Sequence, residues 1–377
     1  MPILRLHVRL APEASTNGHN SVAAGVSTGL FHRRLHLRTA VRFGAALLLL
    51  TGTIVAEAQK RIALGDVAQS QVPVVLRQAL RIGSMSGDSD AFGRISYTAL
   101  RRNNGVLVAD DQTHRISVFD ETGRLVKQIG RQGKGPGEFD LPWLVAALAG
   151  DSIAVWDAGL ARISIFAPTF SYVRSFPVPP TWVINSLAEL PNGDFLLAAL
   201  DAVSKRAMHV YSREGKSRRS FAPMDIPKGV TQFESSLLGG RAVVVDTIIV
   251  FSHKSPYRID VYRVDGVLLR SCLGSDKATT PPANVIVRND GATSLQWRKY
   301  VHSTALLRAP EDGVVWNIIS DLEHDRRTLD AIDVRHCRLL RRAQLPAPVF
   351  LNDLRGSRAV GFMELDFPEV VVYHTRR

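Results

Sequence analysis

At three polar turns between apolar runs an aspartate stands five residues before an arginine: Asp110 and Arg115, Asp157 and Arg162, Asp201 and Arg206. An acid and a base at fixed spacing could move a proton or grip an anion. A catalytic group, however, normally occurs once, so recurrence points to a turn motif. The aspartate then accepts turn amides, and an exposed Asp–Arg pair adds little energy. Histidines 114, 253 and 324 each fall in a turn after an apolar strand, while His209 lies inside one. For metal binding, separate loops would have to converge on one geometry. Gly130 to Gly137 reads Gly-Arg-Gln-Gly-Lys-Gly-Pro-Gly. It lacks the spacing and the following Ser or Thr of a phosphate loop, which leaves anion capture by amides and Lys134 as a minor role. No Gly-x-Ser-x-Gly is present. Glu189 and Asp353 are the acids expected on the strands that would line a centre, too few for an evident calcium site. No residue is assigned to catalysis, and no cofactor or metal is expected. The segment 273–300 is the most individual stretch; its Trp297, Arg298 and Tyr300 are types favoured in binding hot spots.

The elements that position these residues are short strands with turn signals every 8–12 residues, the spacing of an all-β sandwich, barrel or propeller. Residues 106–119 read as one hairpin, and variants of it recur. Second strands begin near 106, 153, 195, 248, 314 and 359. Third strands follow as Ile116-Ser-Val-Phe119, Ile163-Ser-Ile-Phe166, Met208-His-Val-Tyr211, Ile259-Asp-Val-Tyr262, Ile332-Asp-Val-Arg335 and Val370-Val-Val-Tyr373. Gly123, Gly215 and Gly266 stand four residues past the aromatic, where a tight turn needs positive φ; Phe170 takes that place in the second unit. First strands are expected at 95–100, 144–148, 186–190, 235–238, 304–307 and 350–354. Six units of roughly 40–50 residues match four-stranded propeller blades. The sixth unit lacks a fourth strand, and residues 76–83 resemble 125–130, the fourth strand of the first unit. The expected fold is therefore all-β: a six-bladed β-propeller of four-stranded antiparallel blades, closed by the N-terminal strand pairing with the C-terminal blade. Cys272 and Cys337 are too few for a disulfide framework. They are placed at opposite ends of neighbouring blades, so no disulfide is expected.

Of the 377 residues, 45% are hydrophobic, and the formal net charge is +12. The basic residues are scattered singly, unlike a nucleic-acid footprint. Arg33, Arg34, Arg38 and Arg42 precede an apolar run over 43–55 and the small-x-small box Ala56-Glu57-Ala58. This pattern predicts a secretory signal with a long n-region over 1–58. The run is short for a membrane span; an uncleaved N-terminal anchor is the alternative. A linker is expected over 59–72 and the propeller over 73–377.

A short apolar strand, Asp, a polar turn, Arg, then Ile-x-Val-Phe and Gly resembles the blade of NHL-repeat six-bladed propellers. Gly133-Lys-Gly-Pro-Gly-Glu-Phe139 resembles a loop of bacterial exported members. The resemblance implies an exported, periplasmic or extracellular, non-enzymatic binding module for a protein, peptide or saccharide. No nucleic acid and no membrane span after signal cleavage are expected among its partners. Some relatives of that kind are metal-dependent hydrolases, lactonases or lyases using calcium or zinc, the rival reading. The candidate ligand-binding residues are Trp297, Arg298, Tyr300, His114, Lys134, His253 and His324.

Overall fold

The computed structural model describes residues 60–64, 75–85, 91–224, 239–254, 256–274, 284–287, 293–296, 301–321, 326–345 and 349–376. The chain divides into Met1–Ala56 and Glu57–Arg377, and every described residue belongs to the second unit.

That unit is a six-bladed β-propeller with four-stranded antiparallel blades. The inner strands, one per blade, are Ile95–Leu100, Pro142–Ala147, Ser186–Glu189, Gly240–Val245, Val301–Arg308 and Phe350–Arg355. Second, third and outer strands follow within each blade. The first blade shows why. Every residue of Val106–Asp110 is buried, because both of its faces pack against neighbouring blades. The outer Leu125–Ile129 instead carries exposed residues between apolar ends, as befits a sheet edge facing water. The turns from third to outer strand require positive φ, reached at Gly123 (86°), Gly215 (84°) and Gly266 (92°). Phe170 adopts the same conformation without being glycine, at 68°. That strain costs about 1–2 kcal/mol, and the Arg101 guanidinium stacks 5.0 Å over its ring.

Six apolar clusters hold the blades together, each straddling two neighbours. Blade one gives Leu107, Ile116 and Val118 against Val145, Val155 and Phe166 of blade two. Val360, Val370 and Val372 of blade six pack on Val106, Val108 and Phe119 of blade one.

The ring closes as expected. Val75–Ile82 is the outer strand of blade six, antiparallel to Pro368–Arg376, with Ile82 opposite Val370 and Leu80 opposite Val372.

Four expectations are corrected. The inner strand of blade four is Gly240–Val245, not 235–238, which lie outside the described residues. It joins Ile248–His253 through the two residues Asp246 and Thr247, and Asp246 takes φ 54°. Gly239-Gly240 looks like a breaker in sequence, which hid the start of this strand. Second, Lys60–Ala63, inside the expected linker, forms a strand parallel to Leu268–Leu273, making blade four five-stranded. Third, Asn284–Val287 and Thr293–Gln296 form a hairpin within the segment read as a loop.

Fourth, Cys272 and Cys337 form a disulfide, with Cα atoms 5.2 Å apart. Neighbouring strands rotate by about 20–25°. By the outer strand of blade four the direction no longer follows the ring axis, so the opposite-ends argument fails there. Both cysteines are buried in the cluster shared by blades four and five. Linking residues 65 apart removes unfolded-chain entropy equivalent to about 4 kcal/mol in the chain-entropy model.

Removing residues 370–377 should abolish the single cooperative melt, because blade six then loses the strand that binds Val75–Ile82. An unchanged, sharp calorimetric transition for that truncation would overturn the ring-closure account.

Candidate functional site

The repeated aspartates are structural, and the reason is more specific than a turn. The buried Asp110 carboxylate accepts amides from Gln112 and Thr113 in its own turn, at 3.1 and 3.0 Å. It also accepts Gly93 N and Arg94 N, at 2.7 and 3.1 Å, from the segment entering blade one. Asp157 does the same with Leu160 N in its turn and Asp140 N and Leu141 N in the incoming loop. Each fastens the hairpin tip to the chain entering its blade. Among the described residues, Asp201 accepts from its own turn, from Val203 N and Ser204. Two of the arginines bond elsewhere than the expected partner. Arg115 reaches Gln128, and Arg162 donates to the carbonyls of Lys134, Gly135 and Glu138.

The glycine-rich loop does catch an anion, and that anion is its own. Glu138 Oε2 accepts Gly135 N at 2.8 Å, and Arg131 Nε donates to Oε1 at 2.8 Å. Together these hold the Glu138 carboxyl below its ordinary pKa, the Gly135 amide first. Gly130 at φ 88° lies against the buried Phe139 ring, where a Cβ would come within 2.3 Å. Lys134 is exposed on this loop.

His114 sits in its turn at φ 55°, its Nδ1 2.6 Å from Asp140 O. His253 was expected in a turn; it ends the second strand of blade four and is buried. Its Nε2 lies 2.6 Å from Asp260 Oδ2, and Arg258 pairs with the same oxygen at 3.0 Å. Burial lowers the pKa of His253, and the hydrogen bond with Asp260 opposes that shift. His209 packs between Ser220 Oγ and Ala199 O, with Trp182 against its ring. Trp297, Arg298, Tyr300 and His324 lie outside the described residues. Among the described residues, no three His, Cys, Asp or Glu side chains form a metal-sized group.

The feature that these residues do not form is an axial cavity of about 940 Å³, lined by the inner strands of all six blades. That volume lies toward the upper end of small-molecule sites. Its walls mix aliphatic residues, Leu144, Leu187, Val243 and Leu306 among them, with an almost equal share of polar groups. Its rim comes from the turns between inner and second strands: Arg102, Ala149, Pro191, Asp246, Pro310 and Gly356. His114 and Lys134 belong to turns and loops at the other end of the blades.

The inner end of the cavity is polar. Tyr97, Ser186, Arg241, Asn352 and Asp353 meet there. Asn352 Oδ1 accepts Thr98 N and Oγ1, at 3.2 and 2.9 Å. Asp353 Oδ2 accepts Leu100 N at 2.8 Å; burial raises its pKa. Arg241 Nη1 donates to Asn185 O at 2.7 Å. Burial raises the Tyr97 pKa and the charge of Arg241, on blade four, opposes that rise. Behind Arg241, burial and then Arg241 itself push the Lys254 ammonium down to about 8. The sequence signal that could have found this end was the presence of Arg and Asn on inner strands otherwise built from aliphatics.

This geometry defines the class, a six-bladed β-propeller with an axial cavity. A model of the DUF5128 family, described as a 6-bladed beta-propeller, matches residues 88–274. Protein brain tumor of Drosophila melanogaster is 33% identical over 96 residues, which are 25% of this chain. The chain matches 9% of that curated relative's length. A Bacteroides fragilis protein described as exported superposes with TM-score 0.58 at 13% identity, covering 84% of this chain and 99% of its own. A DUF4221 family member from Bacteroides vulgatus gives TM-score 0.55 at 10% identity, covering 81% and 99%. At such identities the likeness is one of fold.

Lys254 supplies a stability test. Its folded pKa lies below the unfolded value, so stability rises with pH from about 8 to the ordinary lysine range, where only the unfolded chain keeps the proton. Lys254→Met should raise the melting temperature at pH 7 by about 2–4 °C and flatten that pH dependence. A lower melting temperature at pH 7, read by calorimetry, would mean that the ammonium is already satisfied.

Proposed function

We propose that the chain is an exported, NHL-like binding propeller that takes its ligand into the axial cavity rather than acting as an enzyme. The observation that carries this reading is the cavity itself: about 940 Å³, with aliphatic stretches along its walls and polar groups at its inner end. Such a shape encloses an apolar body and orients a polar head. The rigid ring presents it preformed, which limits the ordering cost of binding. The ligand is a small molecule, or the end of a peptide or saccharide. Among the described residues, no helix is long and apolar enough to cross a membrane.

Export rests on two features. Residues 33–58 carry the basic, apolar and small-x-small order of a secretory signal. The Cys272–Cys337 disulfide is of the kind that persists in oxidising compartments. N-terminal sequencing of protein recovered from an export-competent host should start at Gln59, with no thiol titratable under denaturing, non-reducing conditions. A retained residue 1 together with two free thiols would remove the export reading.

The cavity reading is tested with 8-anilinonaphthalene-1-sulfonate as a fluorescent probe. The protein should bind it one to one. Ala188→Trp, which places an indole in the cavity wall, should abolish the signal without lowering the melt. Undiminished fluorescence in that variant would place the probe elsewhere and overturn the reading.

A further inference from the structure

We propose that the axial cavity selects organic anions: small amphipathic molecules with a carboxylate or sulfonate head that docks on Arg241 at the inner end. This rests on the cavity reading above and adds the charge of the ligand.

Five arginines line the cavity, Arg102, Arg213, Arg241, Arg308 and Arg355, against three acids, Glu189, Asp246 and Asp353. The acids are already committed. Glu189 Oε2 accepts Ala149 N at 2.5 Å, and Asp246 pairs with Arg308 at 2.7 Å. Asp353 holds Leu100 N. Arg355 lies near enough for its charge to act on Asp353. Arg102, Arg213 and Arg241 make no ion pair with any described acid. Among the described residues, the wall therefore carries positive charge that no acid pairs. Rim arginines steer an anion inward.

Arg241 is the group best placed to receive it. One guanidinium nitrogen is spent on Asn185 O, and the remaining donors of its planar fork suit a carboxylate or sulfonate. Lys254, half-buried behind it, has no ion-pair partner among the described residues and adds a second positive charge. Two neighbouring cations withdrawn from water without an acid between them are costly. A bound anion offsets that cost, and a neutral ligand does not. Tyr97 and Asn352 supply polar contacts opposite, and the aliphatic wall takes the body of the molecule. The wall's aromatic ring is Tyr97, which favours an aliphatic or fused-ring body over a stacked sugar.

The test uses two dyes with the same aromatic body. 8-Anilinonaphthalene-1-sulfonate carries the anion; N-phenyl-1-naphthylamine lacks it. Wild-type protein should bind the sulfonate about tenfold or more tightly than the amine. Arg241→Met should bring the two affinities to within a factor of about two, and Arg241→Lys should keep the preference. A merely structural role for Arg241 would weaken both dyes equally. Equal affinities in the wild type, or a preference that survives Arg241→Met, would overturn the anion proposal. If Ala188→Trp still abolishes both signals, the cavity reading stands while the anion proposal falls. If Ala188→Trp changes neither, the cavity reading itself falls.

Discussion

An inner strand of this ring has a ladder partner on one side only. Its other edge borders the axial cavity, beside the inner strands of the neighbouring blades, which offer it no ladder. Buried amides and carbonyls left there would each cost about 1–3 kcal/mol. The structure answers with side chains at seam after seam. Ser96 donates to Pro142 O between blades one and two. Glu189 accepts Ala149 N between two and three, and Ser186 accepts Ala242 N between three and four. Arg327 donates to Val349 O between five and six. Asn352 and Asp353 accept Thr98 N and Leu100 N where the last blade meets the first. At the fourth seam the backbone itself bonds, Ser303 N to Lys254 O.

The same requirement shapes the cavity. Inner strands must present polar groups sideways into the seams, so some of those groups also reach the channel. Asn352 and Asp353 serve the seam and face the axis at once. Arg241 binds Asn185 O across a seam and leaves the rest of its guanidinium on the cavity. A propeller therefore builds a polar inner end as a consequence of joining its blades. Among these groups the Arg241 guanidinium spends one nitrogen on Asn185 O and keeps spare donors on the cavity.

Blades four and five are joined differently from the rest. Their seam holds the disulfide, the added strand Lys60–Ala63, and a buried polar group in which the Ser252 and Ser303 hydroxyls lie 2.9 and 2.7 Å from Asn317 Oδ1. Nearby, Tyr257 donates to Asp330, which Arg342 grips with two nitrogens. A seam with polar side chains in its core gains less from apolar burial. Covalent and strand reinforcement at that seam fits the need.

The blade count, the order of strands and the pairing of residues 75–82 with 368–376 are legible in the sequence. They follow from local alternation, turn residues and a missing fourth strand, all of which are periodic signals. Two hairpin tips are legible too, since Asp110 and Asp157 recur where blades one and two fasten their incoming loops. The cavity was not legible. Arg241 and Asn352 are single residues on strands too short to show a pattern, and their meeting with Tyr97 depends on ring curvature. The disulfide escaped for a related reason. Two cysteines 65 residues apart carry no periodic signal, and only the accumulated twist of four strands brings them within bonding reach. Local repetition determines what each blade is; the side-by-side packing of six of them decides what faces the axis.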